Sequence, residues 1–177
     1  MDETTFGAAM SVKYDKYYAE GPDALGPPTK ALTDFLTGHL PPNARVLDVG
    51  CGQGRDAVWL AQQGHSVVGI DISTVGIEQL RDIAAAKKLD IAVHVAGVEA
   101  YDPDGDFDCV LFDRTLHMIL DAAPRNAGFA RLAGAVKPGG LCVVLDEADN
   151  IAGFLAQLSD GWSKVWTIKA GFALRRA

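Results

Sequence analysis

The spacing of apolar residues predicts six helices along the chain. The clearest case is the segment 122–136, where apolar residues recur at i, i+3, i+4 and i+7. Ser73 is a suitable N-cap for a second helix, and Pro28 opens a third. The segment 20–28 is rich in Pro and Gly and is predicted to be a loop. The predicted helices cover residues 8–18, 28–40, 55–63, 73–87, 122–136 and 151–158.

Short, continuous apolar runs between these helices predict strands. Five of them cover residues 45–49, 66–70, 91–96, 107–112 and 141–145. Strands of this kind are typical of a parallel sheet with helices on both faces. Two last runs, 165–169 and 172–175, predict a closing antiparallel hairpin. The predicted fold class is therefore α/β, with a doubly wound, mostly parallel sheet of seven strands, a C-terminal hairpin, and helices on both faces.

Length and composition indicate one ordinary globular domain. The chain has 177 residues, of which 49% are hydrophobic and 22% are charged. No repeat, linker or low-complexity segment divides it. Its formal charge of −7 opposes unspecific attraction to phosphate backbones, so we expect no nucleic-acid partner.

The sequence also suggests a compartment. Its first residues, MDETTFGAAM, lack the basic start and apolar core of a secretion signal, and no apolar run is long enough to span a bilayer. Cys51, Cys109 and Cys142 lie far apart, and the last two sit in apolar runs where cysteine acts as a small hydrophobe. We therefore expect a cytoplasmic protein that does not bind membranes and needs neither a disulfide nor a metal.

A glycine-rich turn, VLDVGCGQGRDA over residues 46–57, follows the first predicted strand. In open α/β sheets, ligands bind beyond the carboxyl ends of the strands, where this turn lies. A phosphate-binding P-loop would need Gly-Lys-[Ser/Thr], and a dinucleotide fingerprint would need a third glycine where Arg55 stands. An acid at Asp48 would repel a pyrophosphate and would suit a ligand with a cationic amino group.

A second carboxylate, Asp71, ends the second predicted strand, where it could accept from both ribose hydroxyls of a nucleoside. S-adenosylmethionine combines a cationic amino group with a ribose and has no phosphate. Over residues 45–147 the chain carries, in order, VLDVGCGQG, GHSVVGIDIS, DFDCVLFDRTLHMI and VKPGGLCVVLDEA. With these motifs it resembles the class I S-adenosylmethionine-dependent methyltransferases. The segments YDKYYAEGPDALGPP and CGQGRDAVWLAQQGH also look like the small methyltransferases of the tellurite-resistance and thiopurine type.

The resemblance implies a Rossmann-like fold, bound S-adenosyl-L-methionine, and a division of the single domain. Residues 1–40 would form a helical lid or acceptor region, and residues 44–177 the cofactor-binding core. Asp48 would help to hold the methionine amino group, Asp71 would bind the ribose, and Ile72 would lie against the adenine. Backbone contacts, or close packing of the first helix, are implied for Gly50, Cys51, Gly52 and Gly54.

The chain departs from the family pattern after the third strand. Related sequences often carry an Asp there that accepts from the adenine amino group, whereas this chain has Gly97. The role then falls to the backbone near Val98 or to Glu99, which is displaced by two residues. Both interpretations stay open at the level of sequence.

The acceptor side of the pocket is implied to follow the fourth strand. Asp113 and Arg114 match positions that line the methionine arm and the acceptor pocket. His117 is the histidine placed for acid–base work, and Asp113 is the second candidate, although His117 could instead cap a turn. An aromatic lid, or merely the apolar face of a packed helix, could be formed by Tyr14, Tyr17 and Tyr18.

These features predict a methyltransferase that uses S-adenosyl-L-methionine and acts on a small-molecule acceptor by in-line transfer. Alignment of the reactants could supply about 7–11 kcal/mol of barrier reduction, and a soft acceptor such as a thiolate would need no base. We expect a monomer or homodimer. One alternative is a non-catalytic, methyltransferase-like protein that only binds the cofactor. Another is a nicotinamide-dependent reductase, against which Arg55 argues.

Overall fold

The computed structural model describes residues 3–21 and 25–177. Residues 22–24, which belong to the predicted loop 20–28, lie outside the described residues. The strands are β1 Arg45–Val49, β2 Ser66–Asp71, β3 Ile91–Val95, β4 Phe107–Asp113, β5 Val136–Leu145, β6 Trp162–Ile168 and β7 Gly171–Arg176. The helices are α1 Glu3–Ala19, α2 Lys30–His39, α3 Arg55–Gln62, α4 Thr74–Lys87, α5 Ala122–Gly134 and α6 Ala148–Gln157. A single 3₁₀ turn covers Leu116–Met118.

The described strands form one sheet in the order β3-β2-β1-β4-β5-β7-β6. Strands β1 to β5 are mutually parallel where they pair, and β7 lies antiparallel between β5 and β6. This confirms the predicted fold class. The strand order reverses between β1 and β4, so the loops that leave these two strands diverge and open a cleft at their carboxyl ends.

Alternation along the strands builds an apolar layer on each face of the sheet. In β1, Leu47 and Val49 face the layer that contains Phe129 of α5 and Phe154 of α6. Val46 faces the opposite layer. That layer is filled from α2, α3 and α4 by Leu32, Phe35, Leu36, Ala57, Leu60, Ile77 and Leu80. Each large side chain buried in this way stabilises the fold by about 1.5–3 kcal/mol.

Some predicted boundaries were wrong for physical reasons. Helix α2 begins at Lys30 rather than at Pro28, because Thr29 has extended backbone and occupies the N-cap. Helix α5 ends at Gly134, and Val136 already pairs with Phe107 as the first residue of β5. The other helix and hairpin ends differ from prediction by a few residues, most at α1, which begins at Glu3.

The segment 137–140, predicted as a helix stop, is a bulge inside β5. Phe107 pairs with Val136, and the next pair joins Cys109 to Leu141, so β5 uses more chain than β4 over this interval. Lys137 Nζ lies 3.0 Å from Asp108 Oδ1 and fixes the bulge to β4. Residue types that usually end a helix kink a strand at this place.

Helix α1 docks beside the carboxyl end of β2. Ser11 Oγ donates to Ile72 O at 3.0 Å. Asp15 Oδ1 accepts from Ser73 Oγ at 2.5 Å and from Val75 N at 3.2 Å, so it caps the first turn of α4. The N-terminal helix is therefore attached where the cleft opens. Among the described helices, none has both the length and the apolar character that crossing a bilayer requires.

Candidate functional site

A cavity of about 1370 Å³ opens at the carboxyl ends of β1, β2 and β4. Its walls come from α1, the glycine turn, the end of β2, residues 96–99, and the segment that follows β4. The structure brings most of the predicted site residues to this cavity, namely Tyr14, Tyr17, Tyr18, Gly50, Cys51, Asp71, Ile72, Val98, Glu99, Asp113, Arg114 and His117. Asp48, Gly52 and Gly54 are buried and do not line it.

The glycine turn is held between the loop after β4 and helix α1. Gly50 has φ +76°, and a Cβ on it would lie 2.0 Å from Thr115 Oγ1. Gly52 has φ +51°, and a Cβ there would lie 2.5 Å from the Tyr18 hydroxyl oxygen. Side chains at these two positions would both strain the backbone and collide with the clamping groups. Gly54 packs against Leu80 of α4, which agrees with a role in close helix packing.

Asp71 is a buried carboxylate that organises this turn. Its Oδ2 accepts from Gly52 N at 2.9 Å, and its Oδ1 accepts from Ser73 N at 2.8 Å. Burial raises the pKa of Asp71, while the donated hydrogen bonds pull the pKa down. Each carboxylate oxygen can accept another hydrogen bond, and the residue lines the cavity. Asp71 can therefore take ligand hydroxyls without giving up its own partners.

A second carboxylate group surrounds Arg55 at the start of α3. Arg55 Nη2 donates to Asp56 Oδ2 at 2.6 Å and also donates to Asp113 Oδ2. Asp48 lies near both carboxylates and is fully buried. We call Asp48, Arg55, Asp56 and Asp113 the Arg55 cluster. It contains three carboxyl groups and one guanidinium, so acidic groups are in excess.

Three oxygens of the Arg55 cluster lack hydrogen-bond partners. Among the described residues, Asp48 Oδ2, Asp56 Oδ1 and Asp113 Oδ1 are buried and accept no hydrogen bond. Asp113 Oδ1 lies 3.8 Å from Nε of Arg114, whose side chain is mostly exposed. Burial, and then the charge on Asp56, raises the pKa of Asp113 to about 6 against the attraction of Arg55. Burial also raises the pKa of Asp48 well above its usual range. A cation entering at Asp113 would relieve this imbalance.

Sequence reasoning missed Arg55 and Asp56 as site residues. Arg55 counted there only as the residue that replaces a third glycine. The available signal was position, because the first turn of a helix after a glycine turn faces the cleft and carries free N–H groups.

After β3, the backbone near Val98 and the side chain of Glu99 were the two candidates for contact with adenine, and they lie in different surroundings. A Cβ on Gly97 would lie 2.3 Å from Glu99 Oε1, so the Glu99 carboxylate occupies the space that a side chain on residue 97 would take. Val98 is buried, and its carbonyl accepts from Arg131 Nη2 at 2.7 Å. Glu99 thus presents a carboxylate to the cavity where the family pattern has one two residues earlier.

The three predicted tyrosines do not play equal parts. Tyr18 is 4% exposed and packs between Gly52 and Gly76, so it belongs to the α1–α4 interface. Burial raises the pKa of its phenol. Tyr14 and Tyr17 each lie 5.7 Å from Tyr18 by ring centroids, and Tyr17 is 43% exposed at the cavity. The packing interpretation therefore describes Tyr18, and a lid formed by Tyr14 and Tyr17 stays a prediction.

His117 stands in the 3₁₀ turn and lies against Asp146, a residue that sequence reasoning also missed. Its ring Nδ1 is 3.4 Å from Asp146 Oδ2, and its backbone N donates to the same oxygen at 3.1 Å. The Asp146 side chain is fully buried. Its place directly after β5 was the available signal. Arg114, with φ +57°, turns the chain between β4 and this segment, and its side chain is mostly exposed.

Within residues 3–21 and 25–177, no group of three or more His, Cys, Asp or Glu side chains has the geometry of a metal site. The expectation that the protein needs no metal stays a prediction.

Comparison with known proteins gives consistent matches. Residues 46–140 match the family described as methyltransferase domain. A thiopurine S-methyltransferase of Bordetella petrii is 37% identical over 129 residues, which is 61% of this chain and 57% of that protein. A ribosomal protein L11 methyltransferase of Burkholderia lata is 30% identical over 151 residues, which is 82% of this chain and 47% of that protein. The chain thus spans about half the length of these curated relatives.

Solved structures agree on the fold. The crystal structure of a Burkholderia thailandensis 1,6-didemethyltoxoflavin-N1-methyltransferase, with bound 1,6-didemethyltoxoflavin and S-adenosylhomocysteine, superposes with a TM-score of 0.78. It covers 99% of this chain and 91% of that chain, at 19% sequence identity. This neighbour has the same arrangement of the whole sheet and its covering helices.

Proposed function

The chain belongs to the methyltransferase-domain family, and on that premise we propose that it transfers a methyl group from S-adenosyl-L-methionine to a small organic acceptor. Membership of this family confirms the resemblance found in the sequence. The observation that carries the proposal is one cavity that joins Asp71, beside the glycine turn, to the under-compensated Arg55 cluster. A ligand with hydroxyls at one end and a cationic amino group at the other matches both parts.

The residues present fit this cofactor. Asp71 would accept from the ribose hydroxyls, because it lines the cavity and keeps accepting capacity on both oxygens. Glu99 would accept from the adenine amino group, and Ile72 would cover the ring. When bound, S-adenosylmethionine supplies the electrophilic methyl group, and the protein has to hold, align and dehydrate the reactants.

The methionine end of the cofactor is a zwitterion, and the Arg55 cluster offers both complementary charges. A cationic amino group would donate to Asp113 Oδ1, which accepts no hydrogen bond, and would reduce repulsion with Asp56 and Asp48. The Arg55 side chain is 9% exposed and lines the cavity, and its hydrogen bonds to Asp56 and Asp113 leave Nη1 to face the carboxylate of the same ligand. Asp48 is 2% exposed and would lie beneath the amino group.

The cavity also has room for an acceptor. Pockets for one small ligand usually measure about 300–1,000 Å³, and this one, at about 1370 Å³, is larger. The wall of the cavity includes the exposed apolar side chains of Val12, Tyr17 and Leu120. These surfaces favour a compact, partly apolar molecule, and the thiopurine named for the Bordetella petrii relative is of this kind.

The cysteines support a proposal about the cellular setting. Cys51, Cys109 and Cys142 are buried free thiols. Such thiols persist in a reducing compartment, which supports our proposal that the protein works in the cytoplasm.

The test has a binding arm and a turnover arm. We expect calorimetry to give micromolar or tighter binding of S-adenosylmethionine and S-adenosylhomocysteine, and no binding of NADH. Release of S-adenosylhomocysteine is then measured against thiols, phenols, amines, halides, selenite and tellurite, with ribosomal protein as the macromolecular control. Turnover of a small acceptor supports the proposal. Binding with no turnover on any acceptor would indicate the non-catalytic alternative, and turnover of ribosomal protein alone would contradict the small-molecule assignment.

A further inference from the structure

The pair formed by His117 and Asp146 is not used in cofactor binding, yet it faces the same cavity. We infer that Asp146 is a positioning residue that holds His117 as a general base, and that the methyl acceptor is therefore a protic group, a hydroxyl or ring N–H, rather than a preformed thiolate or other anion. This inference rests on the proposed function and names the class of acceptor for that site.

Asp146 is held in place from several sides. Its Oδ1 accepts from Glu147 N at 2.8 Å and from Asn150 Nδ2 at 2.9 Å, both at the start of α6. Its Oδ2 accepts from His117 N at 3.1 Å and faces His117 Nδ1 at 3.4 Å. The carboxylate side chain is fully buried, whereas the His117 side chain is 22% exposed. The histidine alone therefore reaches the cavity, and the carboxylate stands behind it.

This arrangement decides which ring nitrogen of His117 carries the proton. An ionised carboxylate can only accept hydrogen bonds, so the nitrogen facing Asp146 must be a donor. Nδ1 is then protonated in the neutral ring, and Nε2 keeps its lone pair. A lone pair at Nε2, on a ring that a buried carboxylate orients, is the arrangement required of a general base.

The neighbours of His117 along the cavity indicate what the base would act on. Met118, Ile119 and Leu120 follow it directly, and all three line the cavity. Leu120 is 71% exposed, so its side chain offers apolar surface at the cavity. An acceptor with an apolar or aromatic body would lie against these residues with its polar atom toward His117. An anion that needs no base would gain nothing from a buried Asp–His pair.

Proton transfer to His117 accompanies methyl transfer to the acceptor. The acceptor's O–H or N–H proton passes to His117 Nε2, which makes an imidazolium that Asp146 stabilises. The acceptor's lone pair forms the new bond to the methyl carbon, while the carbon–sulfur bond breaks and its electron pair stays on sulfur. The products are the methylated acceptor, S-adenosylhomocysteine and a proton on His117, which solvent removes.

The first experiment needs no acceptor. Long-range ¹H–¹⁵N spectra of the free protein report the tautomer of each of its four histidines, and His117→Gln identifies the signal of His117. We expect the Nδ1–H form in the native protein and a shift toward the Nε2–H form in Asp146→Asn. Asp149→Asn removes an equal charge from the first turn of the same helix and should leave the tautomer unchanged. An Nε2–H ring in the native protein would overturn the inference.

The second experiment compares matched acceptors. Phenols and the corresponding aromatic thiols are assayed in pairs, at a pH where the thiol is ionised and the phenol is not. We expect His117→Gln to lower kcat for phenols by about 10²–10⁴-fold, Asp146→Asn to lower it at least tenfold, and thiol methylation to change little. An equal fall for both members of a pair would overturn the inference. If the native protein methylates nothing, the proposed function has failed, while the tautomer spectra still decide the role of Asp146.

Discussion

Asp71 and the Arg55 cluster are both buried acidic regions at the carboxyl ends of parallel strands, but they differ in how their oxygens are satisfied. Each oxygen of Asp71 accepts a backbone hydrogen bond, from Gly52 N and Ser73 N. Among the described residues, three buried carboxylate oxygens of the cluster accept no hydrogen bond, and its buried guanidinium is that of Arg55, while the Arg114 guanidinium near Asp113 is mostly exposed. One region is complete without a ligand, and the other is not.

This difference indicates different roles. Asp71 holds the glycine turn in shape, so its hydrogen bonds contribute to the stability of the free protein. The turn then needs no rearrangement when a nucleoside binds. The cluster carries repulsion in the free protein, since buried like charges disfavour ionisation. A cationic ligand would remove part of that repulsion, and the cluster should therefore contribute more to affinity than to stability.

The largest effect is expected from Asp71→Ala. The change leaves Gly52 N and Ser73 N without an acceptor and removes the proposed ribose contact. Urea denaturation should show a loss of roughly 2–4 kcal/mol in the free energy of unfolding. Calorimetry should show S-adenosylmethionine affinity weaker by at least roughly 1.5–3 kcal/mol. Asp160→Ala, an exposed change near the hairpin, is the control. Unchanged affinity would refute the ribose assignment.

Asp113→Asn should show that the Arg55 cluster, unlike Asp71, contributes to ligand affinity without contributing to stability. It removes one of the competing charges while Arg55 keeps its pair with Asp56. We expect an unfolding free energy equal to or above that of the native protein at pH 7, with S-adenosylmethionine affinity weaker by roughly 1.5–3 kcal/mol. Protein that is less stable and binds as tightly as before would show that Asp113 is a structural ion-pair partner only.

The pH dependence should have opposite signs for folding and for binding. The pKa of Asp113 in the folded protein is about 6, above its ordinary value of about 3.9. The folded protein therefore holds this proton more tightly than the unfolded chain. The contribution of Asp113 to the free energy of unfolding is fully present below about pH 4. It falls by about 3 kcal/mol as the pH rises through 6.

Binding of a cationic ligand needs the ionised carboxylate, so affinity should rise over the same pH interval. Asp113→Asn should flatten both slopes, and the difference from the native protein isolates Asp113 together with the carboxylates of the Arg55 cluster that it influences. The measurements are denaturant midpoints and calorimetric affinities between pH 4.5 and 7.5. Parallel slopes for stability and affinity would contradict the account.

The smallest effect is expected from Glu99→Gln. Glu99 is exposed at the cavity wall, and its proposed contact with the adenine amino group is open to water. The affinity for S-adenosylmethionine should fall by about 0.5–1.5 kcal/mol. In the variant, replacing the adenine of the ligand by hypoxanthine should not weaken binding further. Glu78→Gln on α4 is the matched exposed control. An equal loss in both variants would remove Glu99 from adenine recognition.

The same contrast explains what could be predicted from sequence. The order of strands and helices could be predicted from the spacing of apolar residues and from continuous apolar runs. Asp71 could be predicted as a site residue from its place at a strand end. Both are local properties of the sequence. The bulge at 137–140 was misread because Lys-Pro-Gly-Gly ends a helix and kinks a strand with the same residue types. Only the pairing with β4 distinguishes the two.

The cluster and the His117 pair depend on contacts between distant segments. Arg55 meets Asp113 across 58 positions, and Asp146 meets His117 across 29. Their places at the ends of strands and helices mark these residues as candidates, but nothing local in the sequence shows which of them meet. Burial, which raises the pKa of Asp113, exists only once the sheet is covered by its helices. The turn could therefore be predicted as a site, but not the distribution of its charge.

The most direct test of the central claim is a crystal structure of the complex with S-adenosylhomocysteine. The account predicts ribose hydroxyls within hydrogen-bonding distance of Asp71 and the ligand's amino group beside Asp113, with Asp48 beneath it. A ligand that lies elsewhere, or whose amino group points away from the Arg55 cluster, would contradict it.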